Sequence, residues 1–246
     1  MSASLAGAVS PSTHHEPARG IDWQQIEDQL NRGGYAVIPA LLSPAACEGL
    51  IKRYGEPGLF RSRVVMENHG YGKGEYQYFS YPLPADIQAL RTSLYTPLAA
   101  IANRWQEFLG EEKRYPDVHE TYLKQCHEAE QWRPTPLMLR YQTGDYNCLH
   151  QDLYGEHVFP LQLAILLSDT KRDFTGGEFV LTEQRPRMQS RASVVPLQQG
   201  DAVIFAVSVR PATGSKGFHR VNMRHGVSEI RSGQRHTLGI IFHDAQ

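Results

Sequence analysis

Cysteine is scarce: Cys47, Cys126 and Cys148 are the three in 246 residues, an odd count with no close pair. That excludes a disulfide framework and suits a reducing compartment. Long apolar runs are missing as well. None, whether residues 163–167 or residues 202–207, comes near the roughly 20 residues that a membrane-spanning helix needs. Residues 1–20 carry no basic n-region and no long apolar core, so nothing there reads as a secretory signal, and the expectation is a cytoplasmic protein without membrane contact. There is no internal repeat. With 41% hydrophobic and 21% charged residues, intrinsic disorder of the whole chain is excluded too.

What is present is enough chain for one large domain, which needs no metal or disulfide merely to fold. Residues 1–20 are small, polar and proline-containing, and are expected to form a disordered tail; His14 and His15 within it are incidental. A single domain is expected over 21–246, with a helical part over about 21–133 and a β core over about 134–243. Asp22 followed by Gln25 opens a helix that Gly33 and Gly34 stop. Residues 35–38 read as a strand, and Ser43 with Pro44 opens a second helix. Residues 85–109 read as a helix broken or kinked at Pro97, and a further helix follows over about 117–131.

Beyond Arg133 the texture changes. Short apolar or alternating runs at 137–141, 159–167, 178–182, 193–197, 202–207 and 237–242 are separated by turn residues, which is a strand pattern. Helices first and strands second predict an α+β class, an antiparallel double sheet with the N-terminal helices packed outside.

Net charge is −1, but it is unevenly spread: residues 1–184 hold 16 Lys/Arg against 23 Asp/Glu, and residues 185–236 hold 9 against 2. A basic block of this kind suits an anionic ligand or a nucleic-acid backbone; the plain alternative is arginines scattered over opposite strand faces. Residues 61–81 are dense in tyrosine and form a hairpin with a Gly-rich tip. Its aromatics read either as a lid over the site, stacking on a planar substrate, or as cover for the helical layer.

The chemistry concentrates in YQTGDYNCLHQDLYGEH, which begins at Tyr141. His150 and Asp152 are two apart, and on an extended strand that spacing puts both on one face, where an imidazole and a carboxylate can meet one ion. His225, in HGVSEIRSGQRHTLGIIF, is the third candidate ligand, in competition with His219 in a Gly-rich loop, His236 facing away from Arg235, and His243. Arg235 follows ten residues after His225, with Thr237 on its own face. Two histidines and one carboxylate make the facial triad of non-haem Fe(II) oxygenases. A separate arginine can pair with the far carboxylate of a 2-oxo acid as a planar fork. Tyr141 reads as a packed strand aromatic or as a co-substrate contact. Gly176 and Gly177 read as a turn or close backbone approach, and Cys148 as a small core residue.

In this order the motifs resemble the Fe(II)/2-oxoglutarate-dependent dioxygenases of the prolyl-hydroxylase-like type. They are Tyr141-x-x-Gly144-x-Tyr146-x-x-x-His150-x-Asp152, Gly176-Gly177-Glu178-Phe179, Gly200-Asp201-Ala202-Val203-Ile204-Phe205 and His225-x-Val227…Gly233-x-Arg235-x-Thr237. The resemblance implies a double-stranded β-helix (jelly roll), iron at His150, Asp152 and His225, and 2-oxoglutarate held by Arg235, with Thr237 and Tyr141 as lesser contacts. It implies O2 as co-substrate, hydroxylation of a substrate C–H, and succinate and CO2 as co-products. More narrowly, the chain looks like a bacterial group of such oxygenases associated with repair of alkylated DNA, although its last strand reads RHTLGIIFHD, unlike the R-x-N-x-T-x-x-x-x-R of AlkB proteins. An alkylated nucleobase and a peptide or amino-acid side chain are the substrates weighed. The rival readings are a non-catalytic jelly-roll metal-binding or sensing domain, and a cupin-like metal isomerase or hydrolase. The sequence leaves the oligomeric state open.

Overall fold

A computed structural model describes residues 18–153, 155–215 and 217–246. The expected tail therefore lies outside the described residues except for its last three. Helix α1 (Trp23–Gly33) begins where Asp22 accepts the Gln25 N–H at 3.0 Å, and stops at Gly34 in the left-handed region. After strand β1 (Tyr35–Ile38), Ser43 caps α2 (Pro44–Arg53) by accepting from the Ala46 N–H. Helix α3 (Ala85–Phe108) runs through Pro97 without a break, so of the break or kink expected there the break does not occur. Leu90, Leu94, Leu98, Ile101 and Trp105 are buried at i, i+3/i+4 spacing on both sides of the proline, and that packing outweighs one lost backbone bond. Helix α4 (His119–Glu128) completes the helical layer.

The hairpin is present as β2 (Phe60–Val65) and β4 (Glu75–Phe79), joined by a 3-10 turn (Met66–His69) and the short β3 (Gly72–Lys73). The β core follows: β5 (Leu137–Gln142), β6 (Tyr146–His150), β7 (Leu161–Leu166), β8 (Phe174–Gly176), β9 (Phe179–Gln184), β10 (Arg191–Val195), β11 (Ala202–Ala206), β12 (Val209–Gly214), β13 (Gly217–Val227) and β14 (Ile230–Ile240). All pair antiparallel in two sheets. The larger runs β1-β11-β7-β14-β5-β4-β2, with β8 on β14; the smaller runs β10-β9-β13-β6-β3, with β12 on β13. Together they make the expected jelly roll.

Strand β7 shows why its sequence is so apolar: both faces are covered. Leu161, Leu163 and Ile165 pack into the core shared with the helices, whereas Ala164 and Leu166 face the space between the sheets. The hairpin is not a detached flap. Strand β4 bonds to β5 in the large sheet and β3 to β6 in the small one, so its aromatics form part of the barrel wall. Cys148, expected in the core, is exposed, because that face of β6 turns to solvent. His219 lies within β13, not in a loop.

Candidate active site

Antiparallel pairing of β6 and β13 sets His150 opposite His225, with ring centroids 4.2 Å apart. Asp152 lies just past the end of β6. Gln151, between them, donates to the carbonyls of Met223 and Ser208 and pins the chain there. The Asp152 carboxylate reaches both rings, with Oδ1 3.3 Å from His150 Nε2 and Oδ2 3.4 Å from His225 Nε2. The three donor atoms lie within 4.8 Å of one another, a spacing that could hold a metal ion. His219, His236 and His243 stand elsewhere: His236 turns its edge to Tyr54, and His243 accepts the Phe159 N–H.

The surrounding contacts prepare this cluster. His150 Nδ1 donates to the Cys148 carbonyl at 2.7 Å, which leaves Nε2 as the ring nitrogen that faces the cluster. Burial pushes Asp152 toward protonation, but hydrogen bonds from His150 and His225 outweigh it and hold the carboxyl well below its ordinary range. Burial lowers His225, whereas for His150 the pull of Asp152 outweighs burial and raises it. A further side chain, which sequence reasoning missed, is Gln162. Its Nε2 donates to Asp152 Oδ2 at 2.5 Å from the inward face of β7. A polar residue inside LQLAIL was the available signal.

Arg235 sits on β14 opposite Tyr141 of β5, with its guanidinium 5.8 Å from the Tyr141 ring centre and 5.9 Å from that of Phe174. Arg235 NH1 donates to Thr237 Oγ1 at 2.6 Å, and burial lowers its pKa to about 10. Among the described residues no carboxylate forms an ion pair with it. The turn at Gly176 and Gly177 is confirmed with positive φ at both; a Cβ on Gly177 would come within 2.3 Å of Ile230 and 3.0 Å of Arg235. All six candidate residues line one cavity of about 260 Å³, together with Tyr71, Tyr76 and Tyr78 of the hairpin. Among the described residues, Tyr141 Oη, Gln162 Oε1, His225 Nδ1 and Arg235 Nε are buried in its wall without a hydrogen-bond partner.

The basic block does not form one cationic face. Arg185, Arg191 and Arg210 all converge on Glu183, Arg220 pairs with Glu111, and Arg231 pairs with Glu178. Among the described residues no helix is long and apolar enough to cross a membrane.

The architecture is similar to that of a 2OG-Fe(II) oxygenase-family oxidoreductase from Burkholderia pseudomallei (16% identity, 92% of this chain and 94% of that one, TM-score 0.53). It is also similar to a prolyl hydroxylase from Trichoplax adhaerens solved with a hypoxia inducible factor peptide fragment (12% identity, 90% and 93%, TM-score 0.52). The fold defined in this way is the one these 2OG-Fe(II) oxygenases share, and its His150, Asp152 and His225 cluster could hold a metal ion. Residues 74–245 match the model of an oxygenase family described as catalysing oxidative methylation of damaged DNA, and the chain belongs to that family. The uncharacterized protein Rv2227 of Mycobacterium tuberculosis strain H37Rv is 51% identical over 167 residues, 68% of this chain and 72% of its own. Its counterpart in strain CDC 1551 matches equally.

Proposed function

We propose that this protein is a dioxygenase that hydroxylates a substrate C–H, and that residues 21–246 act as one domain. His150, Asp152 and His225 hold Fe(II); Arg235 and Thr237 receive the far carboxylate of 2-oxoglutarate, with Tyr141 beside it. One observation carries the reading: a buried guanidinium without a carboxylate partner among the described residues shares a cavity with a three-donor cluster. A buried cation in an apolar wall is costly unless an anion meets it, and a dicarboxylate long enough to reach the cluster supplies that anion.

When bound, Fe(II) and 2-oxoglutarate supply O2 activation, with release of succinate and CO2 and transfer of oxygen to the substrate. The chain's own residues orient and enclose. Gln162 fixes the Asp152 carboxylate, and the Cys148 carbonyl fixes the His150 tautomer. Tyr71, Tyr76, Tyr78 and the aliphatic wall restrict water. The family's description favours an alkylated nucleobase as substrate; hydroxylation of an N-methyl group would release it as formaldehyde. A peptide or amino-acid side chain is the second reading, supported by the shape shared with prolyl hydroxylases.

The test is an anaerobic titration of Fe(II)-loaded protein with 2-oxoglutarate, watching for the metal-to-ligand charge-transfer band, followed by succinate release under O2. Both should vanish in Asp152→Ala. Full turnover in that variant refutes the assignment, and a band without O2 uptake for any substrate favours the sensing-domain rival. Turnover under anaerobic conditions favours an isomerase or hydrolase.

A further inference from the structure

The inward faces of four adjacent strands line the cavity, and their register sorts the lining into layers. Arg235 stands opposite Tyr141. Two residues on, Thr237 is flanked by Leu139 and Leu166, and Leu139 by Tyr76. Two further, Gly239 lies between Leu137 of β5 and Ala164 of β7, and Leu137 is beside Tyr78 of β4. At about 3.4 Å per residue this third layer is about 14 Å along β14 from Arg235. Two small side chains, Gly239 and Ala164, thus fall side by side in a wall otherwise built of large ones. A dent results, floored by Ala164 and by Leu137 where it folds over Gly239, and bounded by Tyr76, Tyr78 and Ile241. A Cβ on Gly239 would approach Leu137 Cδ2 to 2.7 Å, so one methyl group is enough to change the dent's depth.

None of these six residues carries a charge. Burial raises the Tyr76 hydroxyl to about 12 and Tyr78 further, so both stay neutral. Arg61 packs its guanidinium 4.5 Å from the Tyr78 ring centre and braces that ring in the wall.

We infer that this dent is the substrate subsite and that it takes an uncharged planar ring. The inference rests on the dioxygenase reading: the Arg235 layer belongs to the co-substrate, which leaves the opposite end of the cavity for the group to be oxidised. The nearest carboxylate, Asp152, acts on Tyr76 and Tyr78 but would be committed to the metal, so a charged group entering there would lose its hydration without a free counter-ion. A ring gains from both the flat floor and the tyrosines, whereas a flexible aliphatic chain gains little from aromatic walls.

The test uses the full chain loaded with Zn(II), which blocks turnover, and 2-oxoglutarate. Three probes are titrated by calorimetry: 3-methylthymidine as a neutral ring, 1-methyladenosine as a cationic one, and N-acetylprolinamide as a non-aromatic. The neutral ring should bind tightest, and Ala164→Leu should weaken it at least about tenfold. Gly239→Ala, which adds one methyl and is the milder packing change, should weaken it in the same direction. The 2-oxoglutarate affinity of both variants should equal that of the unmodified protein. The inference is overturned if no ring binds, if either variant binds it unchanged, if the cation or N-acetylprolinamide is preferred, or if the variants lose 2-oxoglutarate instead. Failure of the dioxygenase reading is separate: the unmodified Fe(II) protein would then show no charge-transfer band with 2-oxoglutarate.

Discussion

Arg91 and Arg235 are both buried, 0% and 2% exposed, yet their surroundings differ in kind. Arg91, where α3 meets the sheet, is saturated. It donates to the Ile241 and His243 carbonyls, the Tyr81 hydroxyl and Thr135, and pairs with Asp244 at 2.8 Å. Tyr81 and His127 also bond to Asp244, so the end of the chain is tied to the helical layer from several sides. Arg235, inside the barrel, has Thr237 and two aromatic rings. A third buried arginine, Arg210, follows the Arg91 pattern, with Glu183 2.7 Å away. On the proposed function, the contrast separates a cation whose partners come from the chain from one whose partner arrives from outside.

Substituting each arginine breaks that contrast most sharply. Arg91→Leu leaves the buried Asp244 without its guanidinium partner, a loss of about 3–5 kcal/mol of stability, to be read by denaturant unfolding. Arg235→Leu strands no carboxylate, so stability without 2-oxoglutarate should hold or rise. Its KM for 2-oxoglutarate should instead climb on the order of a hundredfold. Arg235→Lys should fall between, because it keeps the charge and loses the planar fork. A melting temperature that drops equally in Arg91→Leu and Arg235→Leu would erase the distinction.

Gln162 sharpens the comparison within the cavity itself. Its amide holds Asp152 Oδ2, so Gln162→Leu should lower metal affinity about 10–100-fold, measured with Co(II) by calorimetry, while the fold's melting temperature stays near that of the parent. Unchanged Co(II) affinity would reduce Gln162 to wall filling.

That Gln162 escaped the sequence while His150, Asp152, His225 and Arg235 did not has a physical cause. Candidate ligand residues stand out by chemistry and by strand spacing; a residue that positions them is defined by a partner that only folding supplies. In LQLAIL the amide is one polar letter in an apolar run, and Asp152 lies ten residues back on a different element. The helix caps at Asp22 and Ser43 were legible because their bonds span three residues. The basic block misled for the opposite reason: Glu183, Glu178 and Glu111, which neutralise much of it, lie outside it in sequence and beside it in space. The helix continues through Pro97, and Cys148 lies exposed, because burial of a helix face and exposure of a strand are decided by neighbours that local pattern cannot name.

A last expected effect returns to the junction around Arg91, which should be the more acid-sensitive of the two regions. His119 bonds to the Phe242 carbonyl at 2.8 Å, and burial, with Arg91 nearby, lowers its pKa from 6.5 to about 3. His243 is lowered to about 4 by burial and the same arginine. Both imidazoles are neutral in the folded protein and titrate normally when unfolded. Between those values the unfolded chain binds more protons, so stability must fall as pH drops below about 6.5, by about 1.4 kcal/mol per pH unit for each imidazole once titration is under way. The loss levels off only near the folded pKa values. Denaturant unfolding at pH 7.5, 6 and 5 measures the slope. His119→Gln, which keeps a donor for the Phe242 carbonyl, should remove its share of that slope and leave stability at pH 7.5 within about 1 kcal/mol of the parent. Parallel curves for the two proteins would mean that His119 does not carry the acid sensitivity, and that the junction is no more pH-dependent than the cavity.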